Sequence, residues 1–563
     1  MREDWIECKL EDLLDYEQPT KYIIQEEKYN DEFPTPVLTA GKSFIKGYTN
    51  EDFGIFDNLP TIIFDDFTTA SQFVNFKFKV KSSAMKILVP TSKLVNLKFA
   101  FGAMQVNKVR SETHKRYWIS EYSKLTIGLP PLVEQRTIVK KLESLFSSLD
   151  AGVADLKKAQ QQLKIYRQAV LKKAFEGALT TEWRTKQSNL PSNDELLKLI
   201  NDERENYYQI QLEEWQMAIS DWEKNGDSER KPVKPKLSKL LNPITKDEFV
   251  DDLFDIPTNW IWDRLENLIF EVKDGTHDTP KYQEKGIPFI TQKNIKNNDI
   301  TFDNIQFISN LDHQKFFARS NVKRNDIIMA MIGHNRGTCT IVKTDVVFSI
   351  KNVALFKFFE QVQLNKYFLY FFQFIGGLEI ILKKSKGGAQ PFIGLTELRN
   401  WPIPYCSLLE QLQIVKEIES RLSVCDSIEE NIKESLEKAE ALRQSILKKA
   451  FEGNLLTAQE LAECKQAADY EPASVLLKKI KSEHEANKLV DRTIKIKPKI
   501  KMDKKEILVL LMENNSEMPV DQLWKDSVYT NDIDAFYLKL KELSEQGKIE
   551  EVKNGKKVTI KLI

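Results

Sequence analysis

Residues 134–177 read EQRTIVKKLESLFSSLDAGVADLKKAQQQLKIYRQAVLKKAFEG, and residues 410–453 read EQLQIVKEIESRLSVCDSIEENIKESLEKAEALRQSILKKAFEG. Glu134 maps onto Glu410 and Gly177 onto Gly453, the same offset of 276 residues at both ends (410 less 134, 453 less 177), so no gap is needed. Both copies open on Glu-Gln, pass through Ile-Val-Lys and Glu-Ser, and close on Leu-Lys-Lys-Ala-Phe-Glu-Gly. A repeat of this kind sets the architecture before any fold class is assigned. In the first copy Leu142, Leu149, Leu156, Leu163 and Val170 fall seven apart, with Ile138, Leu145, Ala159 and Tyr166 on the neighbouring seam. In the second, Ile418, Cys425, Ile432, Ala439 and Ile446 keep the spacing, beside Ile414, Ile428 and Leu442. That is the a/d stripe of a coiled coil, with charged residues in the other positions. Gly177 and Gly453 stand where a helix end favours a left-handed residue.

Working outward, each long helix follows a globular stretch of its own. Asn259-Trp260-Ile261 and Leu265-Glu266-Asn267-Leu268 echo Asp4-Trp5-Ile6 and Leu10-Glu11-Asp12-Leu13, so the repeat unit is larger than the helix. Residues 1–128 mix β-rich runs (Thr61–Phe64, Ile87–Val89) with turn signals such as Ala40-Gly41-Lys42. Their second half is basic: Lys77, Lys79, Lys81, Lys86 and seven further cations between 72 and 126 face only Glu112 and Glu121. Interleaved with Phe73, Phe76, Phe78, Tyr117 and Trp118, this is a candidate polyanion surface; the plain alternative is a solvated sheet face. Residues 256–405 are again β-rich, carrying Asp274-Gly275-Thr276-His277, Gly333-His334-Asn335-Arg336-Gly337 and Gly387-Gly388-Ala389-Gln390. Between their repeat-marked ends the two domains share little sequence. Similar frames with different faces are what two readers of two ligands look like.

The remaining stretches connect and extend. A charged helix is expected over 193–225, followed by Lys231-Pro232-Val233-Lys234-Pro235, which cannot be helical. Leu476-Leu477-Lys478 and Ile480 echo Leu196-Leu197-Lys198 and Ile200, so the second arm also has a follow-on helix. After a basic linker, 503–563 read as three helices and two strands around Asn554-Gly555, a type I′ hairpin signal. That order resembles a winged helix. Asp532, Asp534, Glu542 and Glu545 on its third helix suit a protein contact better than phosphate.

Composition bounds the function. A chain of 563 residues holds several domains, and a formal net charge of zero leaves no global field toward nucleic acid or membrane. Five scattered cysteines without a CxxC pair argue against a disulfide framework or a zinc site and fit a reducing cytoplasm. The start, MREDWIECKLEDLL, has no apolar signal core, and no run is long enough to span a bilayer, so a soluble cytoplasmic protein is expected. No phosphate loop exists: Gly41-Lys42-Ser43 lacks the upstream glycine, position 36 being Pro. GxGxxG, Asn-Pro-Pro-aromatic and HExxH motifs are missing, and the five histidines lie far apart. What remains is recognition chemistry. Arg336 and Asn335, with His334, are suited to base edges, since Arg pairs with guanine and Asn with adenine through two hydrogen bonds. Lys384 and its neighbours, before Gly387-Gly388, add cations for phosphate, and Lys281 follows His277.

Two unlike domains alternating with two near-identical helices, joined by LPPLVEQRTIV and IPYCSLLEQLQIV and ending in LKKAFEG, resemble the DNA-specificity subunit of type I restriction-modification systems over about residues 1–490. The resemblance implies an α+β chain. Target recognition domains at 1–128 and 256–405 are separated by an antiparallel two-helix coiled coil. Conserved regions lie at 129–255 and 406–490, and a linker and winged-helix-like tail at 491–563. It implies a non-catalytic subunit reading a split duplex DNA site and docking two methyltransferase subunits and the restriction subunits, which carry AdoMet, ATP and Mg. DNA contacts are then expected from Lys42, Lys79, Lys81 and Lys86 in the first domain. In the second they are expected from His277, Lys281, His334, Asn335, Arg336, Lys384 and Gln390. Glu134, Gln135, Phe175, Glu410, Gln411 and Phe451 are the expected partner contacts. A helix of roughly 40 residues measures about 60 Å, which fits readers one to two DNA turns apart. The rival is a coiled-coil adaptor that never touches DNA; a stand-alone methyltransferase or nuclease is disfavoured by the missing motifs.

Overall fold

The computed structural model describes residues 2–39, 43–106, 116–224, 231–237, 239–245, 248–249, 252–296, 298–385, 391–495, 504–514, 516–529, 532–554 and 557–563. The chain falls into two units, Met1–Ser144 with Gln444–Ile563, and Leu145–Arg443.

In the first unit, Ile6–Lys9 pairs antiparallel with Thr126–Leu129 and closes the ends of the domain onto each other. A four-stranded sheet runs in the order Leu14–Glu17, Met85–Pro90, Thr61–Asp65, Ser71–Val74. A three-stranded sheet has Thr35–Leu38 between antiparallel Ile45–Thr49 and parallel Lys79–Val80. Leu38, Phe56, Ile63, Phe78, Val80 and Ile87 form its core. The helix Ala473–Lys495 lies on this domain through Lys481 to Asp12 (3.1 Å) and Ser92 to Glu483 (2.5 Å).

In the second unit the same frame recurs. Ile261–Arg264 pairs with Pro402–Tyr405, and the four-stranded order is Glu271–Asp274, Val353–Lys357, Ile327–Ala330, Cys339–Ile341. In its three-stranded sheet Ile287–Thr291 sits between antiparallel Gln306–Ile308 and parallel Ser349–Lys351. Strand for strand, the sheet orders match those of the first unit. The helix Asn193–Lys224 lies on this domain, Arg204 donating to the carbonyls of Glu266 (2.9 Å) and Asn267 (2.6 Å).

The repeat forms two 44-residue helices, Leu132–Phe175 and Leu408–Phe451. Each is released by its glycine: Gly177 has φ +72° and Gly453 φ +82°, in the left-handed region. Within the second unit, Arg167 pairs with Asp426 at 2.7 Å, and Arg443 pairs with Asp150. Because the later residue of one helix meets the earlier residue of the other, the pairing is antiparallel. The two bridges are one contact made twice: Asp150 and Asp426, like Arg167 and Arg443, stand 276 residues apart. Arg167 also reaches Glu429 at 3.0 Å, and the Arg443 guanidinium lies 4.6 Å over the Phe146 ring.

The main heptad stripe is buried or half-buried along both helices. The neighbouring seam is corrected in part: Ile138 and Ile414 are buried and Ala159 half-buried, but Leu145, Tyr166, Ile428 and Leu442 are exposed. Phe146, Val153, Gln160 and Arg167 turn inward instead. The sequence stripe followed apolar side chains, whereas the packed seam includes the arginines of the ion pairs.

In the tail, Ile507–Glu513, Val520–Asp526 and Ile533–Glu545 pack on a sheet ordered Glu517–Pro519, Lys557–Leu562, Ile549–Asn554. The short strand Glu517–Pro519 after the first helix completes the winged-helix order. Residues 555–556 of the expected hairpin turn lie outside the described residues. Among the described residues no helix is long and apolar enough to cross a membrane.

Candidate nucleic-acid interface

The Glu-Gln pair that opens each helix turns inward rather than toward a partner. Glu134 is 3% exposed; its Oε1 accepts from Trp5 Nε1 at 2.9 Å and from Arg2 at 2.7 Å. Burial raises its pKa, opposed by these two donors. Glu410 is 0% exposed and accepts from Trp260 Nε1 (2.9 Å), Arg184 Nε (2.7 Å) and Thr180 (2.9 Å). Gln135 donates to the Pro130 carbonyl and Gln411 to that of Cys406, both at 2.8 Å. The helices end in the same economy. Phe175 is buried against Phe371 (5.1 Å between ring centroids), Tyr367 (5.4 Å) and Phe374 (6.0 Å). Phe451 packs on Phe99 at 5.1 Å, over Gly102, where a Cβ would stand 2.6 Å from its ring. Glu134, Gln135, Phe175, Glu410 and Gln411 are therefore buried fasteners between helix and domain, a correction to their expected role as partner contacts, and Phe451 is a half-buried one. The echoed tryptophans, Trp5 and Trp260, are their counterparts.

Two lysines expected on DNA are also turned inward. Lys79 is 0% exposed, with its ammonium 2.6 Å from Glu51, 2.7 Å from the Phe53 carbonyl and 4.4 Å over the Phe53 ring. Lys86, buried, donates to Gln18 at 3.2 Å and lies 3.8 Å from Asp66. Its burial lowers the ammonium pKa, which the Asp66 carboxylate opposes. A cation with its charge satisfied inside the domain cannot neutralise a phosphate, so both expectations fail. Lys81 is partly exposed, 3.7 Å from Glu27. Lys42 and Gln390 lie outside the described residues. Lys384 is exposed, its ammonium 3.7 Å over the Phe249 ring.

The second domain gathers the rest at the ends of its sheets. Thr276 bridges to Lys351, and Lys351 pairs with Thr291, so three chain segments finish side by side. His277 leaves this edge with Nδ1 2.7 Å from Asn352 Oδ1 and Nε2 3.0 Å from Asp274, which also holds Arg319 at 2.5 Å. Lys281 is exposed nearby in the chain. Arg319 and Lys351 were not among the expected contacts; only the fold brings them beside His277. The turn after Ile327–Ala330 is closed by Gly337 N donating to the Ala330 carbonyl (2.8 Å), and Gly333 and Gly337 hold φ of +82° and +89°. His334 is exposed at its tip. Asn335 donates to the Gln292 carbonyl at 3.0 Å. Arg336 donates to the Gly333 carbonyl (3.2 Å) and to Ser385 Oγ (3.3 Å). Both side chains are thus held in place while keeping further hydrogen-bonding positions.

In the first domain the corresponding turn, between Thr61–Asp65 and Ser71–Val74, is residues 66–70. Asp65 Oδ1 accepts from the backbone of Phe67 and Thr68 at 2.9 Å each, Thr69 takes φ +60°, and Phe67 is exposed. This turn carries no basic residue, so charge patterning does not single it out.

Residues 2–159 and 267–438 match the family model described as the type I restriction modification DNA specificity domain. The Escherichia coli EcoR124I/EcoR124II specificity subunit is 41% identical over 198 residues, 32% of this chain and 47% of that protein. The E. coli EcoBI specificity subunit is 29% identical over 364 residues, 64% of this chain and 65% of its own. The chain therefore spans about half to two thirds of the length of these relatives. A solved chain from work on complex assembly and conformational transition of the type I R-M system shares the fold, at 15% identity and TM-score 0.51 over 81% of this chain and 99% of that one. With two matched segments that take in most of both domains and of both long helices, this chain belongs to the type I restriction-modification DNA-specificity family.

Proposed function

We propose that the chain is the non-catalytic DNA-recognition subunit of a type I restriction-modification complex, residues 1–128 and 256–405 each reading one half of a bipartite duplex site. The observation that carries this is the shared frame. Both domains have the same strand order and the same Glu–Trp and Gln–carbonyl fasteners, yet unlike turns at corresponding places. Common fastening with divergent turns suits two readers of different half-sites. Two modification subunits and the restriction subunits are the partners on this reading, carrying AdoMet, ATP and Mg. Their contact is assigned to the outer faces of the long helices, where repeat-related Tyr166 and Leu442 are 48% and 51% exposed, in place of the buried fasteners. Symmetry-related patches offer two copies of a partner equivalent sites.

The test is DNA binding by the chain assembled with its modification subunits. Arg336→Ala is expected to weaken binding about tenfold or more for one half-site only, as loss of one bidentate base contact does. Equal loss on unrelated duplexes makes Arg336 a phosphate contact, and no loss at all ends the assignment. The salt titration supplies a second prediction. Lys281→Met should reduce the slope of log K against log salt by about one, while Lys79→Met leaves it unchanged. The adaptor alternative expects no steep salt dependence from any of these proteins.

A further inference from the structure

We infer that Gln292 is a further specificity-determining residue of the second domain, taking the edge of an adenine through its side-chain amide. This rests on the DNA-reading role proposed above and deepens it. Gln292 follows Thr291, the residue paired with Lys351, so it starts at the edge where Thr276 and His277 also emerge. It opens the single turn Gln292–Asn294, fixed by reciprocal contacts: the Thr291 hydroxyl accepts from Lys293 N, and Asn294 Oδ1 accepts from Thr291 N at 3.0 Å. Its carbonyl is the acceptor that holds Asn335. Its Nε2 lies 3.7 Å from where a Cβ on Gly333 would stand, with Asn335 Oδ1 3.8 Å from the same point. Gln292 thus stands between the cationic edge at His277 and Lys351 and the turn that carries Asn335 and Arg336.

Its chemistry is uncommitted. The side chain is half-buried, and its amide makes no hydrogen bond among the described residues. A glutamine held by its backbone, with both donor and acceptor free, matches the N6 donor and N7 acceptor of adenine in the major groove. Because the tether to Asn335 uses the carbonyl of the main chain, replacing the side chain leaves that tether in place.

The experiment is selection of duplexes randomised across the half-site by the complex containing the wild-type chain, Q292A, Q292E or R336A. Q292A is expected to lose adenine preference about tenfold at one position, distinct from the position altered by R336A, with the others unchanged. Q292E is expected to move that position toward cytosine, whose N4 donates to a carboxylate. A Q292A profile identical to wild type, with R336A still altered, overturns the inference and leaves the DNA-reading role standing. Uniform weakening at every position also overturns it, because that is the mark of a backbone contact. If neither Q292A nor R336A changes the profile, the inference and the reading beneath it fall together.

Discussion

Glu410→Ala is expected to lower the stability of the Leu145–Arg443 unit by about 3–5 kcal/mol, the usual cost of removing one member of a buried, hydrogen-bonded charge pair. Arg184, Trp260 and Thr180 all converge on this carboxylate, which is 0% exposed. Alanine removes the buried acceptor that a guanidinium, an indole N–H and a hydroxyl share. Glu410→Gln keeps an acceptor oxygen and should cost less. Calorimetry separates them: a large fall in the unit's melting temperature for alanine and a smaller one for glutamine supports the fastener role. Equal small shifts contradict it.

Phe175→Ala is the second large effect, expected at about 3–5 kcal/mol, as for other buried phenylalanines. The ring fills a pocket made by Tyr367, Phe371 and Phe374 and belongs to one continuous core with Trp401 and Ile418. Removing it leaves a cavity between helix end and domain, so amide exchange should accelerate in both the last helical turns and Asn365–Gln373. Faster exchange confined to the helix end would show that Phe175 does not couple them.

These fasteners explain how far the sequence could be read. The repeat, its two glycine stops and the echoed tryptophans were legible because each structural requirement is met twice, 276 residues apart for the helices. Lys79 and Lys86 misled because a linear count of cations ignores which side of a strand they occupy. Their compensating carboxylates, Glu51 and Asp66, arrive from elsewhere in the chain. Arg319 and Lys351 were missed for the opposite reason: only the parallel pairing of Ile287–Thr291 with Ser349–Lys351 assembles that edge. The inward seam of the coiled coil escaped apolar periodicity because Arg167 and Arg443 occupy it, stabilised by Asp426 and Asp150 on the facing helix. Asn335 and Arg336 were legible as recognition chemistry from their glycine bracket. Gln292 was not, since nothing local distinguishes it from a surface glutamine.

The most direct measurement of the central claim is a methylome map of a host carrying this chain and its modification subunits, before and after residues 256–405 are replaced by the corresponding domain of a relative. The account predicts a bipartite methylated sequence in which one half changes on replacement while the other half, read by residues 1–128, stays the same. A continuous recognition sequence, or one whose two halves both change with a single domain, would contradict it.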